Sequence, residues 1–312
     1  MYDTAVTNDA SPRVSPALLA RPSKLFVETT TRCNLDCFMC VKQSCDHAIA
    51  EGEMSAATFA ALSPTFPHLN ALVLNGVGEP LIHPQLDDFI RKAKALMPGH
   101  GWIGFQSNGL LLTEPRAVSL LEAGVDRICL SIDSVSPENF RTIREGGELT
   151  DVSDAFSALA AAKLRTGRGD FRIGVEFVVM QSNLRELPDA LAWAAARGAS
   201  FALVTHVLPY SPQHACEAVY GDCTDQALAL FRSWKSEARK TGIDVNRYFD
   251  IVMKYSKSAD EQRLVGMVDA LKAEAENRGL FLDLKRLLRL DCRQAEEVAE
   301  VFQKARDLAQ RL

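Results

Sequence analysis

Cys33, Cys37 and Cys40 lie in the stretch TRCNLDCFMCVKQSC, residues 31–45, with the spacing Cys-x-x-x-Cys-x-x-Cys, and Cys45 ends the run. In a reducing compartment, thiols crowded in this way bind metal or do chemistry more often than they form disulfides. An iron–sulfur cube holds four irons and is ordinarily tied down by four thiolates. Three protein ligands would leave one iron with an open position, the feature that separates a catalytic metal from a structural one. Structural zinc is the plainer alternative, but zinc sites pair two such cysteine spacings, and no second pair of that kind occurs among the eight cysteines. Cys129 falls in a strand pattern and reads as core, Cys45 as a surface or lid thiol, and Cys216, Cys223 and Cys292 are scattered downstream.

Loops carrying such residues need rigid elements to hold them. From Lys24 onward, short β-branched and apolar runs alternate with segments of helical period, the signature of successive βα units and a parallel sheet. The strand candidates are KLFVET, ALVLNG, GWIGFQS, RICLSI, RIGVEFVVM and FALVTH. Between them lie helical stretches with readable punctuation: Thr113 with Pro115 and Ser136 with Pro137 as starts, Gly124 and Gly198 as stops. Right-handed crossovers that bury both faces of such a sheet curl it toward a barrel whose functional loops follow the strand ends. The expected fold class is therefore α/β, a partial (β/α)6 TIM-like barrel with a helical C-terminal extension. The boundaries read as an N-terminal arm over 1–23, the barrel over 24–224 and the extension over 225–312. The last helical stretch reaches the terminus without a stop signal, which suggests a longer related architecture.

Composition narrows the partners. Lys plus Arg total 35 against 40 Asp plus Glu, a net charge of -5, so the overall field repels nucleic acid and anionic membrane. No apolar run reaches the ~18 residues of a membrane-spanning helix, and the first residues lack the pattern of a secretory leader. The expected location is cytoplasmic.

The cysteine spacing after the first strand, a Gly-Glu-Pro turn after the second in NGVGEPLIH, and SNG after the third in FQSNGLLL together resemble the radical S-adenosylmethionine (SAM) superfamily. The resemblance covers about residues 24–210. It implies a 4Fe-4S cluster on Cys33, Cys37 and Cys40, with SAM on the open iron. It further implies reductive cleavage of SAM to methionine and a 5'-deoxyadenosyl radical, which abstracts hydrogen from a substrate. A zwitterionic methionine tail wants acceptors near its ammonium and donors near its carboxylate. By the same resemblance Gly78 and Glu79 face the ammonium, with Glu79 acting directly or as a structural brace. Ser107 and Asn108 lie near the methionine end, Ser131 and Asp133 near ribose or carboxylate, and Arg144 toward the carboxylate. Val77 stands where the family has the first glycine of its Gly-Gly-Glu-Pro turn, and Met39 where it usually has an aromatic beside adenine. His206 reads as a proton carrier, a substrate contact or an ordinary hydrogen-bonded histidine.

Among members of the family, the chain is most similar to those carrying a SPASM or twitch-type extension and to those that modify cofactors of tungsten aldehyde oxidoreductases, or that mature peptides. The extension shows no Cys-x-x-Pro-Trp run, so a complete auxiliary cluster site is not expected. The implied partners are an external one-electron reductant of flavodoxin or ferredoxin type and a small-molecule or peptide substrate. Two other readings use the same cysteines: a non-catalytic iron–sulfur electron carrier and a zinc-bound interaction protein.

Overall fold

Six runs of β-formers each make one strand of a single sheet: β1 (Lys24–Phe26), β2 (Ala71–Val73), β3 (Trp102–Ser107), β4 (Arg127–Ser131), β5 (Arg172–Val179) and β6 (Phe201–His206). Their order in the sheet is their order in the chain. Neighbours from β1 to β5 pair in parallel, with Leu25 opposite Leu72, Leu72 opposite Ile103, Phe105 opposite Ile128 and Leu130 opposite Val175. Sequential order in a parallel sheet is what repeated right-handed βα units produce, and the strands curl into the half-barrel expected from the sequence. The computed structural model describes residues 21–44, 49–219, 225–280, 282–284, 287 and 292–312.

The helices are α1 (Val41–Ser44), α2 (Ala56–Ala61), α3 (Leu86–Leu96), α4 (Glu114–Ala123), α5 (Pro137–Ile143), α6 (Leu149–Thr166), α7 (Leu187–Ala195), α8 (Pro212–Glu217), α9 (Asp225–Lys240), α10 (Tyr248–Val252), α11 (Ala259–Asn277) and α12 (Cys292–Arg311). Local chemistry sets their ends. Thr113 accepts from Arg116 N ahead of α4, and Gly124 closes that helix in the left-handed conformation at φ 104°. Ser136 holds the first cap position of α5 without a side-chain bond to the helix. Glu148 and Asp151 cap α6 reciprocally. On α3, Leu86, Phe89, Ile90 and Ala93 are buried at helical spacing.

The chain divides into two compact units. Among the described residues the first comprises those within 21–132, 136–176 and 194–203, so it holds β1 to β4 and most of β5. Its core includes Leu72, Ile103, Ile128, Phe140, Phe156 and Leu159, all fully buried. The second comprises 133–135, 177–193 and 204–312. It has one cluster around Leu230, Phe231, Leu264, Val268 and Leu271, and another around Phe177, Leu187, Val298 and Val301. No helix among the described residues is long and apolar enough to cross a membrane. Residues 1–20 of the expected arm lie outside the described residues.

Candidate metal centre and cofactor site

The cysteine loop is pinned at three places. β1 is shorter than the KLFVET run: Val27 N still donates to Val73 O at 2.8 Å, and then the chain leaves the ladder. It pairs instead with residues 50–54, through Met54 N to Thr29 O at 2.8 Å, Thr31 N to Gly52 O at 3.0 Å and Thr31 Oγ1 to Ala50 O at 2.9 Å. That pairing fixes the approach to Cys33. Cys37 and Cys40 close one tight turn, Cys40 N donating to Cys37 O at 3.0 Å, and α1 starts at the next residue. Lys42 on that helix reaches back to Thr31 O at 2.8 Å.

The second clamp comes from far along the chain. Asp36 N donates to Glu145 O at 3.0 Å and Phe38 N to Ile143 O at 2.9 Å, which sets Cys37 opposite Arg144. Arg144 is 7% exposed, and its Nη1 lies 3.8 Å from Cys37 Sγ. Beneath the loop, Leu35 is buried against Gly146 and Gly147; a Cβ on Gly146, whose φ is +95°, would stand 3.2 Å from Leu35 Cδ2. Glycine is favoured there by the left-handed φ, with Leu35 leaving little room beside it.

The turn after β2 is built into the same loop. Glu79 N donates to Arg32 O at 2.8 Å, and a Cβ on Gly78 would fall 2.3 Å from Thr30 O and 2.6 Å from Arg32 O. Only a glycine lets these two backbones meet. Glu28, just after β1, accepts from Val77 N at 2.7 Å.

Glu79 is 3% exposed, and its carboxylate accepts from Leu81 N at 3.1 Å, Ser107 Oγ at 2.9 Å and Asn108 N at 2.8 Å. Burial pushes its pKa up, opposed by these hydrogen bonds and by the Arg144 charge. Ser107 also accepts from Gly109 N at 3.1 Å. Asn108 donates through Nδ2 to Asn34 Oδ1 at 2.8 Å and accepts from Leu110 N at 3.1 Å. Glu79, Ser107 and Asn108 therefore come together, with their polar atoms used to fasten the loops after β1, β2 and β3 to one another.

Ser131 ends β4; it is 7% exposed, and among the described residues its hydroxyl has no hydrogen-bond partner. Met39 sits half-buried in the Cys37–Cys40 turn. Asp133 belongs to the second unit, where it is fully buried and accepts from Val178 N at 2.7 Å. Asn183 in that unit is a bracket, donating to Asp133 O at 2.8 Å and Val178 O at 2.9 Å and accepting from Met180 N at 2.7 Å. His206 is exposed at the end of β6 with its ring 5.7 Å from that of Phe302, and partial desolvation lowers its pKa. Cys129 is buried in β4, and burial raises its pKa strongly. Cys216 is exposed. Cys45 and Cys223, and the side chain of Cys292, lie outside the described residues.

Asn34, Glu28, Leu35 and the Gly146–Gly147 pair escape the sequence reading. Asn34 sits between two motif cysteines, and the glycine pair follows Arg144 directly, so both carried a local signal; Glu28 carried none.

The donor set suits a cluster. Cys33, Cys37 and Cys40 are in no disulfide, and each is neither buried nor fully exposed. Burial raises the Cys33 pKa; the Leu35 backbone N–H lowers it, while Glu79 and Cys40 raise it. Such a thiol becomes a thiolate where a cation binds. Among the described residues no three His, Cys, Asp or Glu side chains are grouped to hold one metal ion. A cube takes one thiolate on each of three different irons, so it asks for a rim of sulfurs rather than a single point of convergence.

Comparisons with known proteins bear on the family and the fold. The model of the radical SAM superfamily matches residues 27–193, more than half of the chain. A tungsten-containing aldehyde ferredoxin oxidoreductase cofactor-modifying protein of Pyrococcus furiosus is 32% identical over 216 residues, covering 68% of this chain and 59% of that protein. A GTP 3',8-cyclase of Pelotomaculum thermopropionicum is 31% identical over 147 residues, covering 45% of this chain and 43% of the cyclase. The chain thus spans about half the length of these curated relatives. Among solved structures, Streptococcus suis SuiB bound to S-adenosylmethionine superposes with a TM-score of 0.53 at 11% identity, over 72% of this chain and 49% of SuiB. That last likeness is one of fold.

Proposed function

This chain belongs to the radical SAM superfamily, whose members use a 4Fe-4S cluster and SAM and need an electron donor and a substrate, and from that premise we propose that it cleaves SAM reductively to activate a substrate C–H bond. The observation that carries the reading is the clamped loop. Three thiols follow the first strand and are held by backbone hydrogen bonds to residues 50–54, to the Gly78–Glu79 turn and to residues 143–145. When bound, the reduced cluster would supply one electron to the SAM sulfonium, giving methionine and a 5'-deoxyadenosyl radical.

The chain's own residues hold and orient. Cys33, Cys37 and Cys40 would each give one thiolate. Gly78 lets the turn after β2 lie close to the cysteine backbone, and Glu79, Ser107 and Asn108 keep the loops in register. The Ser131 hydroxyl is the uncommitted polar group at a strand end suited to a hydroxyl or carboxylate of SAM. Met39 offers an adaptable apolar surface for adenine. Rigid placement of the cofactor is what makes a radical step selective for one hydrogen.

For the substrate, maturation of a cofactor stands ahead of peptide maturation, because the Pyrococcus furiosus cofactor-modifying protein is similar over 68% of this chain. The electron would come from a flavodoxin or ferredoxin type carrier, in the cytoplasm. The test is anoxic reconstitution with iron and sulfide, followed by SAM and dithionite. About four irons per chain and formation of 5'-deoxyadenosine are expected, and both should vanish in the C33A/C37A/C40A variant. A brown protein that forms no nucleoside would make it an electron carrier, and zinc uptake without iron would make it a zinc protein; either result overturns the proposal.

A further inference from the structure

The register between the cysteine loop and the turn after α5 places one buried cation on one ligand. The two hydrogen bonds Asp36 N to Glu145 O and Phe38 N to Ile143 O flank the Cys37–Arg144 pair. Arg144 is held in turn by its own backbone, its N donating to Phe140 O at 2.7 Å and its O accepting from Gly147 N at 3.0 Å. Its guanidinium is 3.8 Å from Cys37 Sγ, a contact within reach of a sulfur acceptor, and the side chain is buried. We propose that Arg144 is a positioning residue for the cluster, donating to the Cys37 thiolate and raising the reduction potential of the iron–sulfur centre before SAM arrives. The inference rests on the cluster assignment above and goes beyond it, because the expected partner of Arg144 was the SAM carboxylate.

The direction follows from charge. Reduction adds one electron to the cluster and spreads negative charge onto its sulfurs. A cation and a hydrogen bond aimed at one thiolate stabilise the reduced form more than the oxidised form. Low exposure keeps water from screening the effect. Arg144 is also close enough to Glu79 for the two charges to interact, so the guanidinium links the ligand loop with the brace that holds it.

The test is a redox titration of the reconstituted full chain without SAM, followed by electron paramagnetic resonance. In R144M the reduced-to-oxidised ratio at a fixed potential should fall about tenfold, a shift of about 59 mV to more negative potential for a one-electron couple. R144K, which keeps the charge on a different geometry, should fall between the two. An unchanged midpoint in R144M at equal iron and sulfide content overturns the proposal. So does a shift that appears only after SAM is added, which would return Arg144 to the SAM carboxylate. Should R144M fail to load, the wild type carrying guanidino-15N arginine decides: a nitrogen coupling to the reduced cluster in electron–nuclear double resonance supports the contact, and its absence refutes it. A wild-type chain that takes up no iron sinks the cluster assignment first, and this inference with it.

Discussion

Replacing Glu79 by alanine should loosen the site before any cofactor is bound. The carboxylate is 3% exposed and accepts from two backbone N–H groups and one hydroxyl. Alanine removes every acceptor and leaves Leu81 N, Asn108 N and Ser107 Oγ facing a void. At about 1 kcal/mol per unpaired buried donor, the low end of the usual range, the cost is about 3 kcal/mol. Glutamine keeps the shape and one acceptor oxygen, which can serve Leu81 N and Ser107 Oγ together, while its amide N–H faces Asn108 N. One bond is then lost, about 1–2 kcal/mol.

Hydrogen exchange read by mass spectrometry on peptides spanning 76–82 and 106–110 measures this directly in the metal-free chain. With every 1.4 kcal/mol worth tenfold, the Leu81 and Asn108 amides should exchange about a hundredfold faster in E79A and about tenfold faster in E79Q. Equal rates in E79A and wild type, or equal losses in the two variants, would refute the brace. The pH dependence has a definite sign. Burial raises the Glu79 pKa above its ordinary 4.5, so ionisation subtracts from what the three hydrogen bonds supply: the side chain stabilises most below 4.5 and least once pH has risen through the raised value. The protection of wild type relative to E79Q should shrink over that interval, and a gap that widens with pH would show the reverse shift.

Gly78→Ala should cost more than Gly76→Ala. The new Cβ at 78 meets backbone oxygens of Thr30 and Arg32, whereas at 76 it meets the Glu28 side chain, which can swing away and lose its bond to Val77 N. Thermal unfolding should separate them by about 1–3 kcal/mol, the usual cost of overpacking that cannot relax, and iron retention should fall in G78A. Gly146→Ala forces an L-residue into φ +95° against Leu35; a loss of about 1–2 kcal/mol and faster exchange at Phe38 are expected. Asp126→Ala acts where the strands begin, removing the acceptor of Ile103 N at 2.8 Å and the ion pairs to Lys94 and Arg168. It should lower stability by about 2 kcal/mol while leaving iron content unchanged, so a loss of iron would contradict the separation of scaffold from site.

The strands were legible because each is an apolar run bracketed by turn residues, and the parallel order follows from the alternation with helices. Their ends were not. KLFVET reads as six residues of strand, yet β1 ends at Phe26 because residues 29–31 pair with 50–54 instead. A propensity pattern cannot see a competing backbone partner. α10 was missed because five residues are too short to show a helical period.

At the site, residue type was legible and residue employment was not. Ser107 and Asn108 sit at the strand end where the motif places them, but their polar atoms close onto Glu79 and Asn34, the latter 74 positions away in the chain. The Cys37–Arg144 contact spans 107 positions. Spacing within one loop reports which atoms can share a ligand, while contacts between loops depend on how far each strand end projects, which one sequence does not encode visibly. This has a chemical consequence. If the conspicuous polar side chains at the strand ends are already engaged in joining the loops, recognition of a small ligand must fall on backbone groups and on an uncommitted side chain such as Ser131. Substitutions at Glu79, Ser107 and Asn108 would then weaken ligand binding by letting the loops drift apart, and that loss should appear already in the metal-free protein.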